Sequence, residues 1–107
     1  MRSTLEVIQN HGKAFRKGLD AVVEDYAEDA VLISPSGVHK GHEQIRRFFE
    51  QEILNFPEGF WKALETERFE VEGEYGYFLW KALPWYSLGC DSFHVRDGKI
   101  RFQTSTI

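Results

Sequence analysis

The chain has 107 residues, a formal net charge of −4 and one cysteine, Cys90. That length bounds it to a single domain, residues 1–107, built on one core. The acidic balance without a Lys/Arg stripe argues against nucleic-acid binding, which needs clustered cations, and the single cysteine, the lack of a signal-like N-terminal run and the lack of any membrane-length apolar segment point to a cytoplasmic setting.

Ser3-Thr4-Leu5-Glu6 has the form of a capping box. Leu5, Ile8, Gly12, Phe15 and Leu19 then recur at helical spacing, and Gly18 is a natural stop. Asp20 restarts a short helix with Val22, Val23, Tyr26 and Ala27 as its buried side, leaving Glu24, Asp25, Glu28 and Asp29 as a solvated acidic face. Ala30 to Ser34 reads as a strand, Pro35-Ser36-Gly37 as a turn and Val38-His39-Lys40 as a short second strand. From Gly41 a strongly amphipathic helix carries Ile45, Phe48, Phe49 and Ile53 on one face, and Asn55 to Gly59 ends it. The remainder reads as β: one long strand from Trp61 to Glu72, a turn to Gly76, a central strand apolar on both faces at 77–80, a break at Pro84, and a meander of Leu88 to Val95 and Ile100 to Ile107. The expected class is α+β, with helices packed on one face of a curved, mostly antiparallel sheet.

Aromatic residues make up 15% of the chain, more than so small a core requires. They point to an aromatic-lined cavity or a partner surface. Within 89–100, strict alternation sets Asp91 on the same strand face as Phe93 and Val95. Burying a carboxylate on such a face costs several kcal/mol unless it is paired, hydrogen-bonded or protonated. Asp91 is therefore the first candidate for a working residue, against the alternative of a structural acid. Its partner on the last strand depends on the turn. A two-residue Asp97-Gly98 loop sets it beside Thr104, and a three-residue loop sets it beside Gln103.

The four histidines form no metal-ligand set, and neither a Gly-rich phosphate loop nor a nucleophile elbow occurs, so no metal and no cofactor are expected. Cys90 and His94 alternate away from Asp91. Trp61, Trp80, Trp85 and Tyr86 lie on or near strands, where some are expected to cover an outer sheet face.

The element order, together with Lys17-Gly18-Leu19-Asp20, Tyr26 to Val31, Gly41 to Phe49, Asp91-Ser92-Phe93 and Arg96 to Ile100, resembles the nuclear transport factor 2-like superfamily, in its SnoaL-like and ketosteroid-isomerase-like branches. The resemblance covers nearly the whole chain and implies a cone-shaped fold. That fold hosts isomerases, cyclases, hydrolases and non-enzymatic modules, so it does not name a reaction. The ketosteroid isomerases place a catalytic Asp before a Pro after the first strand; here Ser34 precedes Pro35. Their first-helix Tyr corresponds to Asn10, and their protonated sheet Asp to Asp91. With one of three groups kept, authentic ketosteroid isomerisation is not expected. The aspartate of limonene-epoxide-hydrolase-like members falls on Ser105. The SnoaL-like cyclases use a pocket acid, a role open to Asp91.

The resemblance thus implies a cavity walled by Phe15, Tyr26, Phe49, Trp80 and Phe93, with Asn10, Ser34, Asp91, Gln103 and Ser105 as its polar points. Gln103 is favoured beside Asp91, because its counterpart in the isomerases faces the pocket. Three readings follow. The domain binds a small apolar, carbonyl-bearing molecule; or it is an isomerase or cyclase with Asp91 as acid or oxyanion donor; or it is a non-catalytic interaction module. A homodimer through the sheet face is implied throughout.

Overall fold

The computed structural model describes residues 1–107. Helices α1 (Thr4–Ala14) and α2 (Leu19–Glu24) lead into strands β1 (Tyr26–Ser34) and β2 (Gly37–Lys40). Helix α3 (Gly41–Asn55) and the single turn α4 (Phe60–Ala63) precede β3 (Leu64–Glu72), β4 (Tyr75–Ala82), β5 (Tyr86–Arg96) and β6 (Lys99–Thr106). The six strands form one curved, unclosed sheet in the order β2-β1-β6-β5-β4-β3. Every neighbouring pair is antiparallel except β1 and β6. This is the α+β cone expected from the sequence.

The capping box at the start of α1 forms in full: Glu6 N–H donates to Ser3 Oγ at 3.1 Å, and Ser3 N–H donates to Glu6 Oε1 at 2.9 Å. The inward face of α1 is Val7, Ile8, His11 and Ala14. Leu5 and Gly12, expected on that face, are exposed. In α3 the buried stripe is Ile45, Phe48 and Phe49. Ile53 lies at its edge, 36% exposed, and Glu52 takes the next inward place.

Two boundaries and one burial also differ from what the sequence leads one to expect. Tyr26 and Ala27 open β1 rather than continuing α2, because Ile100 N–H donates to Asp25 C=O at 2.8 Å and starts the parallel ladder there. Asp25 does not belong to a solvated acidic face: it is buried and anchors the α1 end of the sheet, accepting from Arg2 Nη1 at 3.1 Å and Asn10 Nδ2 at 3.0 Å. Trp61 falls in α4, and β3 begins only at Leu64.

The last hairpin starts in the register of the two-residue turn and then leaves it for one that neither expectation contained. Arg96 pairs with Lys99 across a two-residue turn in which Asp97 (φ 55°) and Gly98 (φ 73°) are both left-handed, as a type I′ turn requires. A bulge then adds one residue, Arg101, to β6. Beyond it Phe93 faces Gln103 and Asp91 faces Ser105. Neither Thr104 nor Gln103 is the direct partner of Asp91.

The candidate ligand cavity

The register stacks the concave face of the sheet in rows. Phe69, Phe78, Asp91 and Ser105 stand opposite one another on β3 to β6. On one side of that row lie Val71, Gly76, Phe93 and Gln103; on the other lie Thr66, Trp80 and Gly89. Helix α1 supplies Ile8, His11 and Phe15 from above, and α3 supplies Phe48, Phe49 and Glu52. Phe56, Phe60 and Trp61 close one end. Together these groups enclose a cavity of about 480 Å³, lined mostly by apolar side chains. That volume lies within the usual range of small-molecule sites.

Asp91 is the hub of its polar floor. Trp80 Nε1 donates to Oδ2 at 2.9 Å and Gln103 Nε2 donates to Oδ1 at 3.1 Å. Burial pushes the Asp91 carboxyl up from its ordinary value, and donation from Trp80, Ser105 and Gln103 offsets this only in part. The Trp80 indole reaches Asp91 because residue 89 is glycine. A Cβ there would stand 2.2 Å from two carbons of the Trp80 ring.

Behind the floor, Gln103 is buried and accepts the Tyr26 hydroxyl proton at Oε1. Tyr26 Oη also lies 3.2 Å from His11 Nε2. On its other edge, His11 Nδ1 faces Asp25 Oδ2 at 3.6 Å. Neither of those two buried atoms has a hydrogen-bond partner. Burial alone would raise Asp25, but His11, Arg2 and Asn10 outweigh it and hold the carboxyl below its ordinary value. Burial drives Tyr26 well above the usual phenol range, helped by the charges of Asp91 and Asp25.

Of the residues singled out from the sequence, Phe15, Phe49, Trp80, Asp91, Phe93, Gln103 and Ser105 share this cavity. Three do not. Tyr26 is fully buried behind Gln103 and touches the floor only through it. Asn10 turns to Asp25, because α1 presents position 11 and not position 10 to the cavity. Ser34 sits at the β1–β2 hairpin, bonded to Ser36 and 3.4 Å from His39 Nε2. Trp61 and Trp80, weighed for an outer face, both line the cavity, whereas Trp85 lies exposed between β4 and β5.

Glu52 and His11 are cavity residues outside the site candidates that the sequence offers, where His11 reads as a helix-face or pocket-rim residue. Both had a signal. His11 lies one turn beyond Ile8 on the α1 stripe. Glu52 continues the 45, 48, 49 stripe of α3 at helical spacing, where an apolar residue is the norm. Burial, and secondarily the charge on Asp91, raises the Glu52 carboxyl. No cluster of three or more metal-ligating side chains occurs, and no helix is long and apolar enough to cross a membrane.

The SnoaL-like domain family matches residues 13–103. The chain belongs to that family, and through it to the nuclear transport factor 2-like superfamily. Among solved structures it is similar to a protein from Kribbella flavida, at 15% identity over 94% of this chain and 83% of that one, with a TM-score of 0.77. A nuclear transport factor 2-like protein of unknown function from Cytophaga hutchinsonii matches at 14% identity, 98% and 89% coverage and a TM-score of 0.73. A protein from Agrobacterium tumefaciens, described as a candidate isomerase of the SnoaL-like family, matches at 18% identity, 99% and 97% coverage and 0.70. At these identities the likeness is one of fold. No curated protein matches the chain.

Proposed function

We propose that this domain holds a small, largely apolar molecule in the cone, and that Asp91 engages its one oxygen function. The observation that carries this reading is the buried carboxyl of Asp91 on the floor of an aromatic cavity of about 480 Å³. Such a space admits a two- or three-ring compound whose faces meet Phe15, Phe49, Phe78 and Phe93. A raised Asp91 carboxyl that keeps its proton is an O–H donor suited to a carbonyl oxygen; in its ionised form the same group accepts from a hydroxyl. Ser105 and Gln103 flank the contact.

The test compares 2-acetylnaphthalene with naphthalene by calorimetry. Replacing Asp91→Leu is expected to weaken the ketone about tenfold, roughly 1.4 kcal/mol, and to leave naphthalene almost unchanged. Equal losses for both probes would end the assignment of Asp91 to the polar group.

An enzymatic version has one observation in its favour. Proton transfer needs a second group beside Asp91, and Glu52 lines the same cavity from α3. The similar Agrobacterium protein, described as a candidate isomerase, gives this version a precedent in the fold. It requires turnover that disappears in Glu52→Gln while ligand binding persists.

The outer sheet face supports a homodimer. Val38, Ile33, Thr104, Ser92 and Tyr77 form one row across five strands. Three of them are large exposed hydrophobics: Val38 at 53%, Ile33 at 40% and Tyr77 at 37%. The free thiol of Cys90 suits a reducing, cytoplasmic setting.

A further inference from the structure

Donors and acceptors can be counted along the path from Asp25 to the cavity floor. Gln103 Nε2 donates to Asp91 Oδ1, so its Oε1 is left to take the Tyr26 proton. The Tyr26 oxygen then has only lone pairs for His11, and the proton between them, across 3.2 Å, belongs to His11 Nε2. At the far edge of the ring Nδ1 faces the Asp25 carboxylate, which favours a proton there too. In this arrangement His11 holds two protons and Asp91 is an anion.

A half-turn of the Gln103 amide gives a second consistent arrangement. Oε1 now faces Asp91 and must receive a proton from it. Nε2 donates to Tyr26, whose hydroxyl turns to a bare His11 Nε2, while Nδ1–H still faces Asp25. The two arrangements contain the same atoms. Between them one proton has left His11 Nε2 and one has bonded to Asp91 Oδ1, and no other bond differs.

We propose that His11 and Asp91 hold one proton between them by way of Tyr26 and Gln103, and that this makes the cavity floor a receptor for a hydroxyl group. The inference rests on the reading of the cone as a ligand site and names the ligand it takes most readily: an apolar alcohol or phenol. A hydroxyl donates to the Asp91 anion, which Trp80 and Gln103 already clamp, and draws the shared proton fully onto His11. No proton comes from solution. A ketone has nothing to donate. Asp91 must keep an O–H for it while still accepting from Gln103, and the chain behind is satisfied only if His11 also keeps both protons. A ketone therefore needs one proton more. His11 acts as a positioning residue, since it reaches the ligand's oxygen only through Tyr26 and Gln103.

The groups that bear on this balance are few. Asp91 is faced by Glu52 from α3, by His11 from α1 and by the uncharged Trp80, Ser105 and Gln103. His11 is faced by Asp25, with Arg2 behind it, by Tyr26 and by the rings of Phe15, Phe49 and Phe93.

The experiment uses the full chain and two probes, 2-naphthol and 2-acetylnaphthalene. Without probe, the ¹⁵N signals of the His11 ring and the ¹³C signal of the Asp91 carboxyl are followed against pH. Coupled sites share their titration steps, so each step is expected at both residues. In Tyr26→Phe, which removes one hydroxyl and keeps every through-space charge, the steps shared by way of the hydroxyl are expected to disappear, leaving only the mutual influence of the two charges. Independent midpoints in the wild type overturn the proposal, whether or not the variant folds. With probe, naphthol affinity is expected to stay flat between about pH 5.5 and 8 while ketone affinity falls with rising pH. Naphthol is further expected to drive both His11 nitrogens to the protonated form. A bound naphthol that leaves His11 unmoved overturns the sharing. Shared titration with neither probe bound refutes instead the ligand reading on which the proposal builds.

Discussion

Asp25 and Asp91 lie at opposite ends of one chain of side chains and are held in opposite ways. Asp25 has its carboxyl below the ordinary value, near 3.8. A depressed acid stabilises the fold above its unfolded value, and that contribution is lost as pH falls through the folded one. Asp25→Asn is thus expected to lower stability at pH 7 by roughly 1–3 kcal/mol, toward the low end because Arg2 is partly exposed and screened. The deficit should close on acidification below about pH 3.8, and melting curves across pH will show whether it does. Asp91 has the reverse sign. Its carboxyl is raised by burial, so the penalty is absent below the unfolded value, grows as pH rises through the folded one and is complete above it. Asp91→Asn is expected to match or exceed the wild-type melting temperature at pH 7 and to lose that advantage in acid. A variant that melts below the wild type at every pH would show that the carboxylate is structural. Sequence alone separated these two residues poorly. Alternation exposed Asp91 as an acid on an apolar face, whereas Asp25 sat in a run of acids that reads as solvated, and only the parallel ladder from β6 buries it.

Helix α3 and the β4–β5 pair show what an element-level pattern can and cannot reveal. The α3 stripe was legible because Ile45, Phe48 and Phe49 repeat at helical spacing, yet its edge was not. Ile53 and Glu52 compete for the next inward place, and hydrophobicity alone prefers the wrong one. Local chemistry also hid the pairing of Gly89 with Trp80. A glycine within a strand usually signals weakness, but here it is the seat of an indole. Gly89→Ala is expected to destabilise by about 1–3 kcal/mol through overpacking and to break the Trp80–Asp91 hydrogen bond. The upfield or downfield movement of the Trp80 indole N–H resonance, with unchanged secondary structure by circular dichroism, will report that loss. The cap of α1 makes a simpler case. Ser3→Ala removes the acceptor for Glu6 N–H and should cost about 1 kcal/mol, read from urea denaturation at constant slope.

At the scale of the molecule, element order was enough to give the cone, because helix-helix-strand-helix followed by a long meander leaves few ways to cover one face of a sheet. Its outer face bears on assembly. If the row from Val38 to Tyr77 seats a second copy, Ile33→Lys with Tyr77→Lys is expected to convert a sedimenting dimer to a monomer without changing the cavity. A wild-type monomer at micromolar concentration would remove the dimer. The hairpin that ends the sheet was only half legible: the Asp97-Gly98 turn is written in residue types, whereas a bulge is written in none.

That bulge at Arg101 has a consequence for how the interior is specified. In phase with its turn, β6 would point Phe102 and Thr104 inward, opposite Phe93 and Asp91. One surplus residue shifts the strand by half a period, so that Gln103 and Ser105 enter and Phe102 leaves. The polarity that β6 lends the cone is therefore a property of counting, not of composition. Losing the bulge with every residue kept would exchange Gln103 and Ser105 for Phe102 and Thr104 beneath Phe93 and Asp91, and would leave the turn, the helices and the outline of the fold in place.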